Sequence, residues 1–244
     1  MASTSETGHA VNVANLNTLI SRCIGYGTRY NPTNNLIKIP AMQGVHTASN
    51  NSLIGINNVK PAFDNAVNAR QQIFLDMEKL VTRTINAYDS SQNVTDAEVK
   101  DAMTIVKKIR GTRASKKILN PNPDEPQQIS ASQQSFNQQI EHYNKFIQLI
   151  IANPNYQTNE TELQAAQLQT FETQLRAANQ LVIDKTTPYL NALQTRNTIM
   201  YAPKTGLFDI QKEAKKYVKS VKTITLAEFR QISGLKFTKP KKTQ

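Results

Sequence analysis

The strongest constraint on this chain is a run of apolar residues between about 60 and 89 that recur at steps of three and four. Read in heptads, one position holds Phe63, Arg70, Met77 and Thr84. A second holds Ala66, Ile73, Leu80 and Ala87, and a third Val67, Phe74, Val81 and Tyr88. A period near 3.6 gathers these residues on one face of a helix and is incompatible with a strand. Three apolar positions make the face wider than a coiled-coil seam. Such a helix needs more than one neighbour, which is the requirement of a helical bundle.

The same spacing predicts five more helices. They cover about 11–27 (Leu16, Leu19, Ile20, Cys23), 95–110 (Val99, Met103, Val106, Ile109), 131–152 (Phe136, Ile140, Tyr143, Ile147), 159–201 (Leu168, Leu175, Val182, Tyr189) and 206–223 (Leu207, Ile210, Ala214, Val218). Thr95 with Glu98, Asn159 with Glu162 and Thr225 with Glu228 have the spacing of helix-starting capping boxes. Residues 31–60 read as a kinked or interrupted helical approach with breaks expected at Pro40 and Pro61, and Pro188 predicts a kink, because proline lacks the N–H that a helix interior uses. Residues 120–130 carry Pro121, Pro123 and Pro126 and read as a linker. Residues 1–10 read as a frayed, disordered start, and 225–244 as a basic tail. Leu36–Ile39 pairing as strands with Leu235–Phe237 is the one sheet contact the pattern allows.

Both halves run in the same order: short helix, turn, long helix, short helix. The turn from Tyr30 to Leu36 answers that from Tyr156 to Leu163. The expected fold is therefore all-α, an elongated bundle with a pseudo-two-fold internal repeat. Two long helices are each flanked by two shorter antiparallel helices. Residues 11–119 form one repeat and 131–224 the other, in one continuous domain.

The expected core includes Ile73, Phe74, Met77, Leu80, Phe171, Leu175 and Val182. Arg70 interrupts the stripe and reads as an arginine that pairs across the bundle or reaches its edge.

Composition removes most chemistry. Three histidines, His9, His46 and His142, and one cysteine, Cys23, leave no zinc ligand set. Glu-x-x-His, Gly-x-Ser-x-Gly, a phosphate-cradling Walker loop and the dinucleotide fingerprint are all missing from the sequence. The expectation is a protein without cofactor or metal and without enzymatic activity. Cys23 on an apolar face reads as a buried core thiol. The N-terminus has neither the basic nor the apolar region of a secretory signal, and no window of about 18 apolar residues occurs. Membrane insertion is not expected, and the cytoplasm is the expected location.

The polar surface comes from 24 Asn and 21 Gln more than from charge. The net charge of +11 is nevertheless concentrated. Residues 100–119 carry seven basic and one acidic group, and 204–244 carry eleven basic and three acidic. Lys107, Lys108, Arg110, Arg113, Lys116 and Lys117 form one candidate polyanion patch. Lys212, Lys216, Lys219 and Lys222 form another, with Lys215 beside them. Basic residues also suit the negative end of a helix dipole, so part of this pattern follows from helix chemistry alone. Chain direction places both sets toward the middle of the expected rod.

The stretches Lys204–Val221 and Gln231–Pro240, with Asn68–Arg70 and Lys108–Ser115, resemble an uncharacterised bacterial family of helical-bundle proteins. That resemblance implies a bundle and a bacterial origin, and brings no activity or functional residue. The function expected is contact with proteins, as a scaffold or assembly subunit. Non-specific binding of nucleic acid or another polyanion through the basic patches is the second reading. A membrane-active helical rod is the third.

Overall fold

In the computed structural model, residues 7–112 and 134–240 are described; 79% of these are helical, and no strand occurs among them. The α-helices are α1 (Thr7–Gly25), α2 (Ile39–Asp89), α3 (Asp96–Ile109), α4 (Phe136–Ala152), α5 (Ala165–Tyr201), α6 (Leu207–Ser220) and α7 (Leu226–Ser233). Single 3-10 turns at Asn35–Ile37 and Thr161–Leu163 precede the two long helices. The expected linker, with Arg113, Lys116 and Lys117, lies outside the described residues.

Several boundaries differ from the sequence reading. α2 runs unbroken through the region where breaks were expected. Pro40 is its second residue, where backbone N–H groups have no intrahelical acceptor in any case. Pro61 lies inside it, without the N–H that would bond the carbonyl four residues back, and the helix continues past it. α1 starts within the segment expected to fray, because His9 is buried and bonds Tyr201. α5 starts at Ala165, not Asn159, and Glu162 serves as an ion-pair partner of Arg83. The tail makes no strand with residues 36–39, since that stretch closes one 3-10 turn and opens α2.

The chain divides into two compact units, one of Met1–Ala62 with Thr186–Gln244 and the other of Phe63–Lys185. In the second unit, α2 and α5 run in opposite directions. Arg83 meets Glu162, and Arg70 Nη1 donates to Asn179 Oδ1 at 3.1 Å. α4 is antiparallel to α5 and to α3. Tyr143 donates to the Leu168 carbonyl at 3.3 Å, while Asn179 donates to Asn137 at 2.7 Å. Phe74, Met77, Val81, Tyr143, Phe146, Leu168 and Leu175 form its core. Ile73, Leu80 and Phe171 pack at the margin of that core. Val182 is also buried. Arg70 stacks its guanidinium 3.9 Å from the Phe136 ring centroid, so the stripe is interrupted by a cation–π contact.

In the first unit, α6 runs beside α1 in the same direction. Phe208 at its start packs on Tyr201, which holds His9 near the start of α1. Tyr217 near its end packs edge-on against Tyr30, beyond the end of α1. α5 contributes Met200 and Tyr201 to the core that α6 lines, and nothing from its earlier turns among the described residues. The expected return of this helix along α5 is therefore not what forms. The reason is the Ala202–Gly206 connection, where hydrogen bonds from Gly206 to Ala202 and from Ile210 to Gly206 keep a helix-like step.

Buried residues fall in matching registers. In α1, Val13, Leu16, Leu19, Ile20 and Cys23 are buried; 127 positions on (13 to 140) stand Ile140, Tyr143, Phe146, Ile147 and Ile150 of α4. Met42, Ser49, Ile56 and Phe74 stand 126 positions (42 to 168) before Leu168, Leu175, Val182 and Met200. Met77, Val81, Thr84 and Tyr88 stand 130 positions (77 to 207) before Leu207, Gln211, Ala214 and Val218. Tyr30 donates to the Ile37 carbonyl at 2.7 Å, and Tyr156 to the Leu163 carbonyl at 2.8 Å. The buried partner of Leu163 in this register is thus Ile37; Leu36 is 41% exposed.

Truncating Phe74, which is buried and stacks edge-on with Phe136 at 4.7 Å, removes an aromatic contact and leaves a cavity. Phe74→Ala is expected to cost about 3–5 kcal/mol in urea unfolding; a loss below about 1 kcal/mol would show that the α2 stripe does not carry this core.

Candidate functional site

The first basic set sits at the end of α3. Its helix opens on a capping box: Thr95 N–H donates to Glu98 Oε2 at 2.7 Å, and Glu98 N–H to Thr95 Oγ1 at 3.4 Å. Glu98 Oε1 also accepts from Asn153 at 2.9 Å, which ties the start of α3 to the end of α4. The helix closes with Thr112 N–H on the Lys107 carbonyl (2.9 Å) and Gly111 N–H on that of Lys108 (3.2 Å). Gly111 has φ of +68°, the left-handed conformation that favours glycine, and the end of the flexible Gln134 side chain lies over it. Lys107, Lys108 and Arg110 are exposed at this end, and Arg110 donates to Thr82 Oγ1 at 2.8 Å.

The second set lies on α6. Leu207, Ile210, Gln211, Ala214 and Val218 face inward, which leaves Lys212, Lys216 and Lys219 on the outer face at steps of four and three. Lys222 follows and is also exposed. Two of these cations have acidic neighbours one turn back: Lys212 is 3.6 Å from Asp209, and Lys216 is 2.8 Å from Glu213. Lys215 turns toward the tail, where its Nζ donates to the Leu235 carbonyl at 2.6 Å and lies 4.9 Å from the Phe237 ring centroid. Burial lowers its pKa. The two basic sets belong to different compact units.

Three features of the first unit were not found by sequence reasoning. An open groove of about 640 Å³ follows the last turns of α5, lined by Leu190, Leu193, Arg196, Tyr201 and Pro203. Arg196, 1% exposed, bonds Asn197 Oδ1 through Nε at 3.2 Å and Nη2 at 2.9 Å. Next, Arg29 forms a two-pronged pair with Glu228, at 3.2 and 2.8 Å, and joins the turn after α1 to the start of α7. Finally, Asn12, buried at 0% exposure, spends its amide on the tail. Polar residues three apart, Asn12 and Asn15, were the only hint, and in a chain this rich in Asn they do not stand out.

Among the described residues, no group of three or more His, Cys, Asp or Glu side chains could hold a metal. Among these residues, none of the helices is long and apolar enough to cross a membrane. Cys23 is buried, and that burial pushes its thiol up to about 12.

Two groups make stability depend on pH. Burial first, then the charge of Arg196, lowers His9 to about 4. His9 is therefore neutral when folded and takes a proton on unfolding, so its contribution is present above about 6.5 and is lost as pH falls toward 4. The hydrogen bond from Arg29, then the backbone of Thr225, lowers Glu228 to about 2. That contribution is present above about 4.3 and is lost as pH falls toward 2. Urea unfolding should thus weaken in two stages between pH 7 and pH 3. His9→Gln should remove the upper stage, up to about 1.4 kcal/mol per pH unit; an unchanged upper stage would mean that His9 is protonated in the fold.

Compared with protein-family models, with curated proteins and with solved structures, the chain matches none.

Proposed function

We propose that this chain is a non-enzymatic helical-bundle protein that acts through protein–protein contacts, as a scaffold or assembly subunit. The observation that carries this reading is the apolar surface of the two long helices. Ile54 and Leu75 on α2, and Leu181, Ile183 and Leu190 on α5, are each 42–54% exposed, and Leu190 borders the α5 groove. Single exposed apolar residues are ordinary, but a set along helices whose polar positions are mostly uncharged gives a partner helix little desolvation cost.

The same proposal includes an internal two-fold repeat, in which α1 answers α4, α2 answers α5 with α6, and α3 answers α7. The matching registers support it, as do two capping boxes 130 positions apart (Thr95 to Thr225). A four-residue difference falls at 202–205, where α2 is continuous and the second copy breaks into α5 and α6. In this arrangement each unit is a small bundle built from parts of both copies, with short helices packed along the long ones.

Light scattering after gel filtration checks the assembly reading. The expected result is a mass that rises above 27.3 kDa with concentration, and a smaller rise for a variant carrying Leu181→Asp and Leu190→Asp. A monomer at every concentration, with no partner retained from the source cell by the tagged chain, would sink it.

The exposed Lys212, Lys216 and Lys219 row favours a second reading, polyanion binding. Binding to mixed-sequence duplex DNA should then weaken as salt rises, and Lys216→Glu with Lys219→Glu should reduce both affinity and salt slope. Unchanged binding in that variant would leave the row as solvated surface.

A further inference from the structure

The C-terminal segment crosses unit one as a non-helical strap, antiparallel to α1, and it is held mainly by its main chain. Asn12 brackets Thr238 with both ends of its amide. Its Nδ2 donates to the Thr238 carbonyl at 2.7 Å, and its Oδ1 accepts from the Thr238 N–H at 2.9 Å. Asn15 donates to the Lys236 carbonyl at 2.7 Å, and Lys215 to that of Leu235 at 2.6 Å. Asn12 and Asn15 are neighbours on a helix face, about 5–6 Å apart. Two residues of extended chain span about 6.6 Å, so consecutive helix positions meet alternate strap positions. Leu235 and Phe237 add half-buried side chains to the same core.

We propose that residues 235–240 are exchanged between copies, so that the groove between α1 and α6 of one chain accepts the strap of a second. Three observations carry this. The hydrogen bonds read a backbone, so the strap of a second copy satisfies them equally. Gly234, the C-cap of α7, is the sole covalent joint between α7 and the strap. With the strap in place Asn12 is fully buried, its Nδ2 also donating to the Tyr201 hydroxyl at 3.3 Å; a strap that leaves uncovers this amide, and the strap of a second copy covers it again with the same two bonds. In an isolated chain the tethered strap wins by effective concentration; among neighbouring copies the straps of other chains reach a local concentration at which they compete with it. The inference therefore rests on the assembly reading for its setting.

Cysteine trapping in the full chain tests it. A Cβ at Gly8 would lie 3.5 Å from Thr238 Oγ1, within disulfide reach. Cys23, buried with its thiol at about 12, supplies no thiolate to confuse the result. The chain with both Gly8→Cys and Thr238→Cys should close an internal bridge on mild oxidation. Equal amounts of the Gly8→Cys chain and the Thr238→Cys chain, mixed at high concentration, should give a disulfide-linked mixed dimer. Its yield should rise with concentration and exceed that of either chain alone. Asn12→Ala in the Gly8→Cys chain, with its helicity verified by circular dichroism, should suppress it.

An internal bridge with only background dimer in the mixture would overturn exchange, and the lack of an internal bridge would overturn the strap itself. Wild-type light scattering separates the two proposals. Association without mixed dimer removes exchange and keeps assembly. Mixed dimer from a chain that otherwise stays monomeric keeps exchange and removes assembly through the long helices.

Discussion

A 51-residue helix with an apolar stripe along its whole length cannot cover that stripe itself. This demand organises everything else in the chain. Each turn of α2 needs apolar surface from another element, and different elements supply it in turn. Met42 and Leu53 near its start join the core that α1 and α6 build, while Phe74, Val81 and Tyr88 join the core of α3, α4 and α5. The short helices have little reason to exist alone, since helices of 14 residues are marginal in water. Burial against a long neighbour, with good caps at the exposed ends, makes them stable. Glu98 and Glu228 illustrate the economy: each completes a capping box with one oxygen and uses the other on a different segment.

Periodicity was legible wherever burial alone decides structure. The stripe of α2 from Phe63 on, the inward face of α4 and the Thr95–Glu98 start of α3 are all as the residues indicate. What failed depends on partners that one sequence does not display. Pro61 looks like a break because local rules count the lost hydrogen bond, yet the packing of Ile56 and Ala66 on either side outweighs one bond. His9 sits in a polar stretch that reads as frayed, and Tyr201, almost two hundred residues away, makes it helical and buried. Leu36 and Ile37 are equally apolar; only the Tyr30 hydroxyl, bonding the Ile37 carbonyl, fixes which one turns inward.

The charge pattern was easy to count and hard to interpret for a related reason. Counting treats every lysine alike. In the structure, Lys215 is a tail anchor, Lys212 and Lys216 have acidic neighbours on their own helix, and Lys107, Lys108 and Arg110 crown a helix end. Exposed pairs of this kind contribute little to stability. They also mute the field those lysines present, so a count of lysines overstates what a ligand would feel.

The break between α5 and α6 is held by contacts within a few residues of itself. Beyond the break, Leu207, Ile210 and Ala214 are buried again. The break is stitched by hydrogen bonds from Gly206 to Ala202 and from Ile210 to Gly206, and by the Lys204 N–H on Asp209 Oδ2 at 3.0 Å. Gly206 tolerates no side chain, because a Cβ would fall 2.7 Å from the Ala202 nitrogen. Lys204 takes the left-handed conformation, φ of +68°, at a cost of about 1–2 kcal/mol. That strained, glycine-dependent turn exposes Ala202 and Pro203 on the wall of the α5 groove. An opening of about 640 Å³ thus borders the break, and Leu190, one of the exposed apolar residues of the two long helices, lines it as well.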